Sequence, residues 1–237
     1  MGLTPKERPI FFDGPMVRAL LAGSKSVTRQ LMKIQPGQDT SVTVEHYHAT
    51  VINRQGNEEP GPKIFGAWWR DGEAGCKCPF GQPGDRLWVK EAWSSDFARH
   101  YPYTDVWYRA DDDRAYEITD RSGVPGIWSP EHEVHVPFSW HSGVLMKRRA
   151  SRILLEIISV RAEQLQSITE EQAIAEGMRL NRDGSGTFVG REGPGKLVTP
   201  WLTATEAFAD QWDKSHGQGS WESNPWVWCV EIRKVAK

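Results

Sequence analysis

The sequence predicts an α+β fold: a small curved sheet or β-barrel with short helices at its rim and long loop insertions. Three observations predict it. Residues 85–93, 152–165 and 224–235 carry strand-like apolar patterning. Three short segments between the strands carry helix start and stop signals. Strands and helices do not alternate as they would in a parallel βαβ sheet. With 237 residues and a mean hydropathy of −0.57, the chain suits one domain with insertions better than two domains.

The elements follow in order. "PIFF", 9–12, reads as a first short strand. Asp13 is placed to cap a helix with Pro15 in its first turn. Met16, Leu20 and Leu21 share one face of that helix, and Gly23 ends it. From about 33 to 82, Gly, Pro, Asn and Gln are frequent, which predicts a loop-rich insertion with one strand at "SVTVEHYH". In "DRLWVKEAW", 85–93, Leu87, Val89, Glu91 and Trp93 share one strand face, and Trp88, Lys90 and Ala92 the other. A second irregular stretch, 94–148, holds a shorter strand at "DVWYRA" and runs into the basic "MKRRASR". "RILLEIISVRAEQL" is apolar on both faces, as a buried barrel strand requires. Over 165–178, Ser167 and Glu170 fit a capping box and Gly177 ends the helix. Residues 179–198 form a third, Gly-rich insertion. Thr199-Pro200 opens a third helix carrying Trp201, Thr205, Phe208 and Trp212, and "NPWVWCVEIRKV" is the last strand. No internal repeat interrupts this order.

Composition narrows the function. The formal charge is −2 and the pI about 6.4, so the chain lacks the basic excess of a general nucleic-acid binder. The run holding Lys147, Arg148, Arg149 and Arg152 is the best local candidate for a phosphate contact. No apolar stretch reaches the length of about 18 residues that a membrane helix needs. "MGLTPKERPIFF" lacks the features of a signal peptide, and the expectation is an intracellular, cytoplasmic protein. Most of the twelve tryptophans should fill core. Three cysteines make no disulfide framework. Cys76 and Cys78 are one residue apart, unlike most zinc knuckles. His46 and His48, or His132 and His135, would have to complete a four-ligand set; no metal and no cofactor is expected.

Three constellations carry chemistry. In "LLAGSKSVTRQ" an amine, a hydroxyl and a guanidinium follow a helix-ending glycine. Lys25, its pKa lowered by burial or by Arg29, can take the proton of the Thr28 hydroxyl and make it a nucleophile. A spacing of three needs a bend after Gly23, because a regular strand would point the two side chains apart. Otherwise both residues belong to a solvated turn. Glu176 sits at a helix end, where the macrodipole disfavours a carboxylate by roughly 0.3–1 kcal/mol. It is either ordinary surface or an acid that donates a proton. Glu91, on an inward strand face, needs a cation or a substrate amine as partner.

Together, "LLAGSKSVTR", "PGDRLWVKEAW", "ASRILLEIISVRAEQLQSITEEQAIAEGM" and "FADQWDKSHGQGSWESNPWVWCVEIRKV" resemble an ASCH domain, a relative of the RNA-binding PUA fold. The resemblance covers about half the chain and is nearest to the larger phage and bacterial ASCH proteins. It implies a PUA-like β-barrel with a cleft over its mouth. Some ASCH proteins are amidohydrolases that deacylate the exocyclic amine of cytosine in nucleosides, with a lysine, a threonine and a glutamate as the catalytic set. The pattern K-x-x-T matches Lys25 and Thr28, and the glutamate before a methionine-containing turn matches Glu176. Arg29 directly follows Thr28, whereas in the small enzymes the arginine comes one residue later. Arg29, Glu91, Trp88 and Trp93 are the candidate substrate contacts, the tryptophans as stacking partners of the base. The expected activity is hydrolysis of N4-acylcytidine without a metal. A non-catalytic RNA- or modified-base-binding module, or a ribonuclease, is the alternative within this fold.

Overall fold

The computed structural model of the protein describes residues 4–37, 39–70, 74–95, 106–111, 118–119, 125–129, 134–137, 139–181, 183–190 and 199–235. Its elements are β1 (Glu7–Phe11), α1 (Gly14–Leu21), β2 (Val27–Leu31), β3 (Val42–Ile52), β4 (Glu58–Trp69), β5 (Ala74–Lys77) and β6 (Arg86–Lys90). Next come β7 (Trp93–Ser94), β8 (Trp107–Tyr108), β9 (Ile118–Thr119), β10 (Pro125–Ser129), β11 (Val134–Pro137) and β12 (Leu154–Gln164). The chain continues through α2 (Glu170–Ala175), β13 (Arg179–Leu180), β14 (Phe188–Val189), α3 (Ala204–His216) and β15 (Trp226–Lys234).

A five-stranded sheet, ordered β1-β6-β12-β15-β2, organises this α+β fold. Its one parallel pair is β1 with β6; the others run antiparallel. The expected barrel does not close: β1 and β2 remain at opposite edges, and the chain passes between them through α1. Asp13 caps that helix by accepting from the Met16 amide, and Gly23 follows it at φ 75°, a conformation that favours glycine. Val17 and Leu20 of α1 join Leu87, Val89, Leu155, Ile157, Trp228 and Val230 in the main core. Along β12 only Leu155, Ile157 and Val160 are buried, and the register shifts between Ile157 and Ser159. The strand is therefore buried on one face rather than two, because its other face is not covered by a closed barrel.

The region read as a loop-rich insertion, 33–82, is mostly sheet. β3, β4 and β5 pair antiparallel, and Ala67, Trp69 and Cys78 enter the main core. Gly61, Gly66 and Gly75 are close-approach positions within these strands, whereas Gly56 makes the turn between β3 and β4. A Cβ on Gly66 would lie 2.2 Å from the Cys76 carbonyl oxygen. Within 94–148 the described segments form the pairs β7–β8 and β9–β10–β11. Within 179–198, β13 and β14 form a hairpin. All the described tryptophans with assigned burial are at least half-buried; Trp69, Trp212, Trp226 and Trp228 are buried outright.

The two later helices start elsewhere than expected. Thr169 and Gln172, not Ser167 and Glu170, form the capping box of α2. Ser167 instead donates to the Gln164 carbonyl within a short 3-10 turn. Glu170 is thereby released to cap α3, accepting from the Ala204 and Thr205 amides at 2.8 and 3.0 Å and from the Thr205 hydroxyl. α3 begins four residues after Pro200 with its own Thr203–Glu206 capping box. It packs with Leu165, Ala173 and Val227 in a second core. Among the described residues no helix is long and apolar enough to cross a membrane.

Candidate functional site

β2 and the end of α2 build the candidate site. Burial forces partners on each of its charges: Lys25, Thr28, Arg29 and Glu176 are all 3% exposed or less. The Lys25 ammonium lies 2.6 Å from Glu176 Oε2 and donates also to the Val27 and Glu176 carbonyls. The acid that the macrodipole disfavours therefore has a cation placed on the helix end itself. The Ser26 amide donates to Ala175 O and completes this cap. The phenyl ring of Phe12 lies 5.6 Å from the ammonium. Lys25 thus faces the protein interior, not a solvated turn.

Arg29 extends the charge network. One of its terminal nitrogens donates to Glu163 at 2.5 Å and to Gln172 at 2.7 Å; the other lies 3.6 Å from Glu176 Oε1. Its Nε and NH1 make no hydrogen bond among the described residues, although the side chain is wholly buried. Unpaired buried donors each cost about 1–3 kcal/mol, which an acceptor on a ligand would recover. Cys229, opposite Arg29 in the β2–β15 register, is pushed up to about 12 by burial and stays a thiol.

A cavity of about 210 Å³ opens over this network. Arg29 and Glu176 reach it, as do Gln30 from β2, Phe11 from β1, and Phe208 and Trp212 from α3. Glu176 is the member of the expected triad that lines it; the Lys25 amine bonds to Glu176 from within the protein. Thr28 lies in β2 paired with Val230, and its hydroxyl accepts from Gln30 at 3.3 Å. The sequence does not single out the α3 side chains as cavity wall, because a four-residue apolar step does not distinguish a cavity wall from a core. Glu163 and Gln172, which hold Arg29, carried no signal beyond being polar.

The other candidates lie elsewhere. Glu91 is bound by Arg152 through two hydrogen bonds of 2.9 and 3.0 Å, and Arg152 also pairs with Asp111 and covers the Tyr108 ring. Burial pushes Glu91 up, and Arg152 only partly offsets it. Arg152 is pushed up, because its bonds to Glu91 and Asp111 outweigh its desolvation. Trp88 packs under Lys90 on the face opposite Leu87, and Trp93 packs against His141 in β7. None of Glu91, Trp88 and Trp93 lines the cavity over Glu176. In the basic run, Arg148 pairs with Glu7 and Arg152 with Glu91, while Lys147 and Arg149 are exposed.

Of the conceivable metal ligands, His46 bonds Gln82 and His48 bonds the Gly61 carbonyl. Cys78 is buried and Cys76 half-buried. His132 and the His135 side chain lie outside the described part of the structure. Among the described residues no three His, Cys, Asp or Glu side chains gather as a metal-binding group. No family model, curated protein or solved structure matches the chain.

Proposed function

We propose that the protein is an ASCH-type amidohydrolase that removes the acyl group from the exocyclic N4 amine of acylated cytosine nucleosides. The supporting observation is the buried Lys25–Glu176 pair, whose glutamate lines a cavity that Arg29, with two unpaired donors, also lines. The PUA-like relationship rests on the sequence motifs quoted above, and the open five-stranded sheet is compatible with it.

Lys25 holds the Glu176 carboxylate in place at the cavity wall from 2.6 Å. The Glu176 carboxylate, which lines the cavity, accepts the proton of the nucleophile as it attacks the acyl carbon. Arg29 donates to the carbonyl oxygen as negative charge develops there. Glu176 gives its proton to N4 as the C–N bond breaks, and free cytidine leaves. With water as nucleophile the acid is released directly. With Thr28 as nucleophile an ester forms and water cleaves it. Because the Thr28 hydroxyl is bonded by Gln30 and Gln30, not Thr28, lines the cavity, water is the nucleophile this arrangement serves more directly.

The test is incubation with N4-acetylcytidine and N4-benzoylcytidine, following the ultraviolet change to cytidine, with and without chelator. Turnover insensitive to chelator, lowered at least about 100-fold in Glu176→Gln, is expected for loss of a general acid. Wild-type rates in Glu176→Gln would overturn the mechanism. No turnover of any acylated cytosine, with salt-sensitive RNA binding, would replace the amidohydrolase by a binding module.

A further inference from the structure

The cavity over Glu176 is not isolated. A second cavity of about 370 Å³ lies beside it, and Trp212 and His216 line both. Neighbouring residues of edge strand β2 divide between the two: Gln30 lines the first, and Leu31, with Lys33 just beyond the strand, lines the second. The first cavity alone falls below the roughly 300–1,000 Å³ usual for small-molecule sites, whereas the two together fall within it. Trp212 and His216 thus form the wall that the two cavities share, past which a ligand seated over Glu176 would extend.

The step between the cavities has the form of a stacking platform. The His216 and Trp212 rings lie parallel within 16°, centroids 3.8 Å apart. Trp212 is buried and His216 exposed, and His216 Nδ1 bonds the Trp212 carbonyl at 3.1 Å. The imidazole is thus fixed flat on the indole before any ligand arrives. Polar groups of the second cavity are mostly spent. Ser220 donates to Asp213, Ser223 to Ser220 O, and the Gln35 amide to Met32 O and Trp226 O. Two donors have no partner among the described residues: the buried Trp212 indole N–H and the Lys33 ammonium. An aromatic platform beside one free cation suits a base attached to a phosphate.

We infer that the second cavity binds the neighbouring nucleotide of a single-stranded chain, its base against His216 and the linking phosphate beside Lys33. The identity of the unit in the first cavity rests on the cytosine reading above; the second site stands on its own geometry. The preferred substrate is then an acylated cytidine within an oligonucleotide rather than the free nucleoside.

Two ribodinucleotides test this, carrying N4-acetylcytidine at the 5′ or 3′ position and uridine at the other. They are compared with N4-acetylcytidine and its 5′- and 3′-monophosphates. One dinucleotide should exceed the nucleoside at least tenfold in kcat/KM at low salt. Lys33→Ala should abolish that advantage, Lys33→Arg should restore it, and nucleoside turnover should stay constant in both. Equal rates for dinucleotide and nucleoside would overturn the second site and leave the amidohydrolase standing. Monophosphates matching the dinucleotide would overturn the base contact. Should no acylated compound turn over, the amidohydrolase falls, and binding decides the groove. Quenching of tryptophan fluorescence should then show cytidylyl-uridine binding at least tenfold tighter than cytidine, lost in Lys33→Ala; equal affinities would overturn the inference.

Discussion

Lys25 and Glu176 each make the other tolerable. Removing one leaves a buried charge, at a cost of about 3–5 kcal/mol, whereas replacing both by apolar groups is often nearly neutral. Lys25→Met should therefore lower urea-denaturation stability by about that amount. Lys25→Met combined with Glu176→Leu should regain most of the loss and still turn over no N4-acetylcytidine. An active double variant would show that the pair is only structural. The cysteines give a second prediction at this scale. Burial raises all three thiols and holds Cys229 at about 12. Iodoacetamide at pH 8 should modify half-buried Cys76 first and leave Cys229 unmodified in the folded protein, as read by peptide mass spectrometry. Rapid Cys229 labelling would contradict its placement in β15 opposite Arg29.

Elements hold these side chains by contacts that local pattern does not display. α2 has only six residues, too few to persist alone. It is fixed by its capping box, by Lys25 at its C-terminal end, and by Glu170, which reaches across to the first turn of α3. From the helix held there, Phe208 and Trp212 line the cavity. Burial opposes ionisation of Glu170, but the Thr205 hydroxyl and the α3 amides outweigh it and hold its carboxyl below the usual range. In the β3–β4–β5 sheet, Gly66 admits the Cys76 backbone where a side chain cannot fit. Gly66→Ala should destabilise by about 1–3 kcal/mol in equilibrium unfolding, since the obstacle is backbone rather than a mobile side chain. An unchanged midpoint would mean that β5 does not pair with β4 as described.

Across the whole molecule, stability below neutrality is set by carboxylates of opposite sense. Asp85 ties β1 to β6 through Arg8 at 2.7 Å and the Lys6 amide at 3.0 Å. Burial pushes Asp85 up, but those bonds and the Gln82 amide outweigh it and hold it below its ordinary 3.8. Its stabilisation is present above pH 3.8 and is lost as pH falls through the lower folded value. Glu91 behaves oppositely: raised above 4.5 by burial, it favours the folded state below that pH and loses this contribution as pH rises through its folded value. Asp85→Asn should flatten the acid side of a stability-against-pH curve measured by urea unfolding, and Glu91→Gln should steepen it above pH 4.5. Curves parallel to wild type would show that neither group titrates differently in the folded protein.

By itself the sequence determined the α+β class, the strand at 85–93, the terminal strand and the α1 cap at Asp13, and it singled out Lys25 and Glu176, which the fold pairs. These are local matters: alternation of apolar side chains, a capping oxygen, a glycine at positive φ, and an acid at the wrong end of a helix. Tertiary structure decided what lies 20 or more residues apart. It made sheet of a Gly- and Pro-rich insertion, because Gly66 serves close approach rather than a turn. It left β1 and β2 as open edges joined through α1. It gave Glu91 to Arg152 and Arg29 to Glu163 and Gln172, and it put α3 over the cavity. A residue's type states that a buried charge must have a partner; only the folded chain states which one.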